Sequence, residues 1–270
     1  RTYDFDKSLP NGSLSIDNGS RTTDEVTFIF DNSKYVAEVS KDGELIETNS
    51  SGEIVVNDDG NYSIKLINLT DEENFNTYEF TIDTKAPVVN LDGVEQGKTT
   101  NTDVNVSWCD EDVVSATYTK DNGESFVLEN GATLTEEGIY VVKVVDDLGN
   151  ITEVMFTIDK SLDYEVYVDN TSATGVETTG EDVLVINNEE LHISVTKNGE
   201  AYEYSFGDVL SEEGTYLIKI SDDHGNTTVI QITIDKSVNA HPTTGNGTIS
   251  NEEVIVVAGE KVSVIVTKDG

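Results

Sequence analysis

The sequence holds a single cysteine, Cys109, so no intrachain disulfide can brace it and its cores must hold by packing, by ions or by neighbouring domains. No apolar run approaches the length of a membrane span, and no secretory leader is present. The chain opens abruptly at Arg1, within a motif that recurs later, which is the mark of an excerpt or a mature form. Basic residues are scarce. Lys plus Arg number 16 against 53 Asp plus Glu, a formal net charge of -37 over 270 residues. Charge of that sign repels phosphates, which excludes nucleic acid as a partner, and it opposes docking on an anionic membrane. It favours solubility, self-repulsion and the binding of cations. A helical hydrophobic period is missing throughout.

What is present is Val, Ile, Tyr and Phe in short runs, punctuated by Thr, Asn, Asp and Gly. Those are residues of pleated surfaces and of tight turns, so the chain reads as many short strands. Its length suits several small domains.

The strongest feature is internal repetition. Phe80-Thr81-Ile82-Asp83 returns as Phe156-Thr157-Ile158-Asp159 and as Ile232-Thr233-Ile234-Asp235, at two separations of 76 residues. Tyr3-Asp4-Phe5-Asp6 fits the same slot. Three further motifs keep the phase. The turn Lys41-Asp42-Gly43 matches Lys120 to Gly123, Lys197-Asn198-Gly199 and Lys268-Asp269-Gly270. Gly60-Asn61-Tyr62 matches Gly138-Ile139-Tyr140 and Gly214-Thr215-Tyr216. Asp146 to Asn150 matches Asp222 to Asn226. The expected organisation is the end of one repeat (1–6), three complete repeats (7–83, 84–159 and 160–235) and a fourth that breaks off (236–270). Residues 236–270 supply only the first three strands, so Val254, Val256, Val262, Val264 and Val266 would face solvent in isolation, with fast amide exchange.

Residues 84–159 resolve into seven strands. Pro87 to Leu91 is the first, entered through a proline that suits a strand start. A polar connection runs from Asp92 to Asp103. Val104, Val106 and Trp108 alternate with Asn105 and Ser107, the pattern of a half-buried strand. Residues 114–119, 125–128 and 132–135 follow, with a hairpin at Asp121-Asn122-Gly123. Gly138 leads into a long strand, and Asp146 to Gly149 turns the chain into Ile151 to Ile158. Seven short antiparallel strands fold over as two sheets. The Gly-x-Tyr motif stands where immunoglobulin-like sandwiches place a tyrosine corner, whose hydroxyl ties back to the backbone. A propeller, with about four strands per unit, fits less well.

The motif order, Lys-x-Gly, Gly-x-Tyr, Asp-x-x-Gly-Asn, Phe-Thr-Ile-Asp and then a proline, resembles the bacterial immunoglobulin-like repeat modules of Gram-positive surface and cell-wall proteins. The resemblance spans essentially the whole chain. It is clearest in 84–159 and weakest in 7–83, where the stretch Asn68 to Asn76 replaces the compact turn. It implies all-β, tandem immunoglobulin-like sandwiches of about seven strands, export to the cell surface or wall, and service in stalks. It implies no activity.

Catalytic groupings are not evident. His192, His224 and His241 fall at non-equivalent positions, Cys109 has no basic residue beside it in sequence, and no nucleophile–base set stands out. Asn-x-Ser/Thr sequons such as Asn150-Ile151-Thr152 follow from composition. Lys65, Lys143 and Lys219 alternate away from the repeated tyrosines, so a Lys–Asn cross-link is not expected of them. Calcium is the one ligand the sequence points to. The last residue of one sandwich arrives at the end where the next begins, beside the loop between its second and third strands and the turn between its sixth and seventh. That places Asp83 near Asp110, Glu111, Asp112, Asp146 and Asp147, and Asp159 near Glu189, Glu190, Asp222 and Asp223. Gathered hard oxygens suit Ca²⁺. Turn chemistry alone also accounts for Asp-x-x-Gly-Asn, and Lys85 and Lys160 oppose a cation.

The expected function is therefore structural and non-enzymatic: spacer repeats of an extracellular protein, with neighbouring repeats as their main partners. The alternatives are an adhesive module that grips a host protein or glycan, and repeats that build a matrix or filament. A loop found in only one repeat would favour adhesion.

Overall fold

A computed structural model describes residues 8–237, 240–242, 256–258, 265 and 267. Every described element is a strand. The chain forms two compact units, Arg1–Ile158 and Asp159–Gly270.

The first unit holds two sandwiches. One is built from β1 (Gly12–Leu14), β2 (Arg21–Thr22), β3 (Val26–Phe30), β4 (Tyr35–Lys41), β5 (Glu44–Asn49), β6 (Glu53–Val56), β7 (Gly60–Asn68) and β8 (Asp71–Ile82). The other uses β9 (Val89–Asp92), β10 (Thr99–Thr100), β11 (Val104–Trp108), β12 (Val113–Lys120), β13 (Ser125–Val127), β14 (Ala132–Leu134), β15 (Gly138–Asp146) and β16 (Ile151–Ile158). Their sheets have the same order: β1-β3-β6 over β2-β8-β7-β4-β5, and β9-β11-β14 over β10-β16-β15-β12-β13.

The second unit repeats the plan with one addition. Its strands are β17 (Tyr164–Val168), β18 (Thr171–Ser172), β19 (Thr178–Thr179), β20 (Val183–Asn187), β21 (His192–Lys197), β22 (Glu200–Tyr202), β23 (Val209–Leu210), β24 (Gly214–Ser221) and β25 (Thr227–Ile234). They order as β18-β17-β20-β23 over β19-β25-β24-β21-β22. A further pair, β26 (Ala240–Pro242) with β27 (Val256–Ala258), is antiparallel. The remaining expectations for 236–270 lie outside the described residues.

Each sandwich closes its own core. The first is Val26, Phe28, Ala37, Val39, Ile54, Tyr62, Ile64, Leu66, Phe80 and Ile82 among others. The second centres on Val104, Val106, Tyr140, Val142, Val144, Phe156 and Ile158. The third centres on Val183, Val185, Leu210, Tyr216, Ile218, Ile220, Ile232 and Ile234. These are alternate residues of their strands, since a period of two turns one set inward. Trp108 packs only at the margin of the second core and stays half-buried.

Two features differ from the sequence reading. The connection 92–103 contains a strand, Thr99–Thr100, which pairs parallel with Thr157–Ile158. Arg21–Thr22 and Thr178–Thr179 do the same against β8 and β25. A two-residue parallel bridge has no local alternation to announce it. The stretch Asn68 to Asn76 is also mostly strand, because β7 and β8 run on to pair Asn68 with Asp71.

The phased motifs meet in space. In each sandwich the turn after β4, β12 or β21 clasps the start of β7, β15 or β24. Asp42, Asp121 and Asn198 accept hydrogen bonds from the backbone N–H of Asn61 (2.9 Å), Ile139 (2.8 Å) and Thr215 (2.9 Å). The lysine before each turn lies across the glycine of Gly-x-Tyr. At Gly138, with φ of +147°, a Cβ would stand 2.7 Å from the Lys120 side chain, so only glycine fits. Two residues on, the hydroxyls of Tyr62, Tyr140 and Tyr216 donate to the carbonyls of Asp58 (2.8 Å), Glu136 (2.9 Å) and Glu212 (2.8 Å).

Candidate functional site

The acidic residues singled out from the sequence occupy two settings, one in each unit. In the first unit an acidic cleft of about 350 Å³ is lined by Asp42, Asp59, Asp83, Asp110, Asp112 and Asp146, with Lys85 and Pro87. Strand β8 delivers Asp83, the loop before β12 delivers Asp110 and Asp112, and the β15–β16 turn delivers Asp146 and Asp147. Oxygens of Asp83, Asp112 and Asp146 lie within 4.8 Å of one another.

A protein cation enters this group. Arg21 projects from β2, and its Nη1 donates to both oxygens of Asp147 at 2.8 and 2.9 Å. Its Nη2 donates to Asp83 Oδ2 at 2.9 Å and to Asp112 Oδ2 at 2.5 Å. The four side chains keep between 25% and 41% of their surface, so the pairs are partly screened rather than buried. The Asp112 hydrogen bond above all raises the Arg21 pKa, against the cost of burial.

Asp146 has a separate task. It is 2% exposed, and its Oδ1 accepts from the N–H of Leu148 (3.0 Å) and Asn150 (2.8 Å). Its Oδ2 accepts from Asn150 Nδ2 (2.8 Å), and the same Nδ2 donates to the Asp83 carbonyl at 3.1 Å. The last turn of the second sandwich is thus tied to the last residue of the first. Asp110 is committed as well, with Oδ2 accepting from the Val88 N–H at 2.8 Å, while Glu111 is exposed.

The second unit repeats the latch. Asp222 Oδ1 accepts from the N–H of His224 (2.9 Å) and Asn226 (2.8 Å). Asn226 Nδ2 donates to Asp222 Oδ2 (2.7 Å) and to the Asp159 carbonyl (3.0 Å). Ligand atoms of Asp159, Asp222 and His224 lie within 4.8 Å of one another. Asp223 points elsewhere, to His192 Nε2 at 2.7 Å on the exposed surface. Glu189 accepts from the Asp163 N–H at 2.7 Å, and Glu190 is exposed.

Burial pushes the carboxyls of Asp146 and Asp222 up, but the hydrogen bonds from Asn150 and Asn226, side chain and backbone, push them down further. Both end below the ordinary aspartate value of 3.8.

Sequence reasoning placed Asp83, Asp112, Asp146 and Asp147 at one end of a sandwich and did not foresee Arg21, whose partners are 62, 91 and 126 residues away. The available signal was rarity, since Arg21 is one of two arginines in the chain. The second role of Asn150 and Asn226, reaching back to the preceding strand end, was also missed behind their evident role in a turn.

These features define the class: tandem immunoglobulin-like β-sandwiches, each with a tyrosine corner. No family's sequence pattern matches the chain. Over 77 residues it is 39% identical to an outer cell wall protein of Brevibacillus brevis, a match covering 28% of this chain and 8% of that protein. Similar solved structures include the Dpr2 Ig1-Ig2 complex with DIP-Theta Ig1-Ig3, at 10% identity, 84% coverage of this chain, 99% of that chain and a TM-score of 0.35. A titin I67-I69 variant aligns at 10% identity, 84% and 99% coverage and a TM-score of 0.34. At those scores the alignments carry no weight for function.

Proposed function

We propose that the chain is a run of spacer modules, with boundaries near Asp83, Asp159 and Asp235, in an extracellular protein of a bacterial cell wall or surface. The observation that carries this reading is where the repeated motifs act. Lys-x-Gly clasps Gly-x-Tyr, the tyrosine hydroxyl ties its own strand down, and Asn150 and Asn226 bond the carbonyls of Asp83 and Asp159. The recurring polar chemistry is spent on closing modules and on joining each to the strand end before it. The stretch of similarity to an outer cell wall protein supports the location.

For the two carboxylate sets we propose calcium as the ion they take. Asp83, Asp112 and Asp146 would hold it in one, and Asp159 with Asp222 in the other. Hard oxygens suit it, and Arg21 competes with it for Asp83 and Asp112.

Single-molecule stretching tests the modular reading. Three unfolding events are expected, each lengthening the chain by roughly 200–250 Å, which is the extended length of one repeat less its folded length. A single event, or steps twice that long, would mean that the repeats share their cores and would end the proposal.

A further inference from the structure

The third sandwich departs from the other two along one edge. In the first two, a turn ahead of the short parallel strand is tied to the sandwich's last strand, β8 or β16: Gly19 N–H donates to the Glu79 carbonyl and Gly97 N–H to the Met155 carbonyl, both at 2.6 Å. In the third, β17 folds back through Asp169 and Asn170, both at positive φ of 48° and 58°, and forms the hairpin strand β18. Ala173 N–H donates to Val166 O at 2.8 Å, which draws this segment toward β17. The chain regains β25 only at Glu177, whose carbonyl accepts from Thr233 N–H at 2.9 Å. Val176 stands in the place of Gly19 and Gly97, and among the described residues it makes no bond to Gln231.

The consequence is that the outward C=O of Gln231 is left open, where its counterparts Glu79 and Met155 accept from a glycine N–H. Thr233 and Asp235 direct their N–H groups outward, to Glu177 and Thr179. By alternation, Val229 and Gln231 direct their N–H and C=O groups the same way, away from β24. Among the described residues these groups have no partner in the chain. Along them runs a groove of about 480 Å³, with Tyr164, Val166, Val176 and Ile230 in its lining and Glu165 and Glu177 beside them.

We propose that this groove is a strand-addition site that takes an extended peptide of alternating apolar and cationic residues, supplied by a partner protein. Free backbone groups on alternate residues are what an added strand pairs with, and the lining beside them selects its side chains. The apolar residues receive one set, and the two glutamates select Lys or Arg. A second copy of this chain is a poor occupant, because each copy carries a net charge of -37. The proposal adds to the spacer reading without resting on it.

The test is an amide-shift titration of the isotopically labelled 270-residue chain with a blocked nine-residue peptide of alternating valine and lysine. Its counterpart with glutamate for lysine is the control. Shifts should concentrate in 164–177 and 227–232. Glu177→Lys, at an exposed position, should weaken binding by roughly tenfold or more, as loss of a complementary charge does. Gln231→Pro should abolish it by removing an outward N–H at an edge where proline is tolerated. Three results would overturn the proposal: shifts spread over the acidic surface of all three sandwiches, equal binding of the glutamate peptide, or concentration-dependent broadening of these amides without peptide, which would mean self-association.

Discussion

Tyr62, Tyr140 and Tyr216 show how much one residue carries in a sandwich this small. They are 3%, 2% and 0% exposed, and the rings of Tyr62 and Tyr140 stack on Phe80 and Phe156 at 5.2 and 5.3 Å between centroids. Tyr140→Ala removes the ring and leaves a cavity, a loss of about 3–5 kcal/mol. For a domain of this size that should lower the melting temperature by more than about 10 °C, or leave the second sandwich unfolded. Tyr140→Phe keeps the ring and loses only the bond to the Glu136 carbonyl, which costs about 1 kcal/mol. Equal effects of the two substitutions in calorimetry would contradict a packing role. Asp146 and Asp222 make a prediction of opposite chemistry. Their folded pKa values are depressed below 3.8, so the stability they confer is present above that value and is lost as pH falls through the folded value. Thermal melts should be flat in this respect above about pH 4 and decline below it. The double variant Asp146→Asn, Asp222→Asn should melt lower at neutral pH and show less acid dependence. Parallel acid losses in both proteins would assign the effect to other carboxylates.

At the scale of the element, the short parallel strands β2, β10 and β19 occupy one place in the fold and carry different side chains. Arg21, Thr99 and Thr178 are the equivalent residues, each opposite a threonine of β8, β16 or β25. Only Arg21 brings a cation, and it gathers Asp83, Asp112 and Asp147 around it. Arg21→Thr installs the residue that the other two strands carry there. The strand should persist, because its bridge is made by backbone. The exposed pairs contribute about 1 kcal/mol or less each, so the melting temperature should fall only modestly. The carboxylates, freed of the guanidinium, should then bind calcium more tightly, by roughly tenfold on the scale of one removed charge pair. Calcium should also restore the lost melting temperature. Unchanged calcium affinity by calorimetry would show that Arg21 and the ion do not share these oxygens.

At the scale of the whole molecule, three cores built from one pattern mean that stability is assembled repeat by repeat. Individuality is confined to edges and ends, where a core is indifferent to change. Arg21 marks the first sandwich, and the β17–β18 hairpin marks the third. The long β7–β8 hairpin also belongs to the first, and there Lys65 lies 4.5 Å from the Phe75 ring centroid.

The strands of residues 84–159 could be read nearly residue by residue, because alternation of Val and Tyr with polar residues and the turn residues at Asp121 to Gly123 and Asp146 to Gly149 are local signals. The gathering of Asp83 with Asp112 and Asp146 followed from strand order alone. What the chain does not write locally, only folding decided. Parallel pairing of Thr99–Thr100 with Thr157–Ile158 joins residues 58 positions apart and leaves no period behind. The Arg21 cluster depends on two sandwiches meeting end to end within one unit. The open edge at Gln231 depends on a loop that turned toward β17 instead of β25. Local patterns determine which face of a strand is buried, since hydrophobic burial acts on every residue in turn. Long-range hydrogen bonds and ion pairs are set by distances that exist only after the sheets have packed.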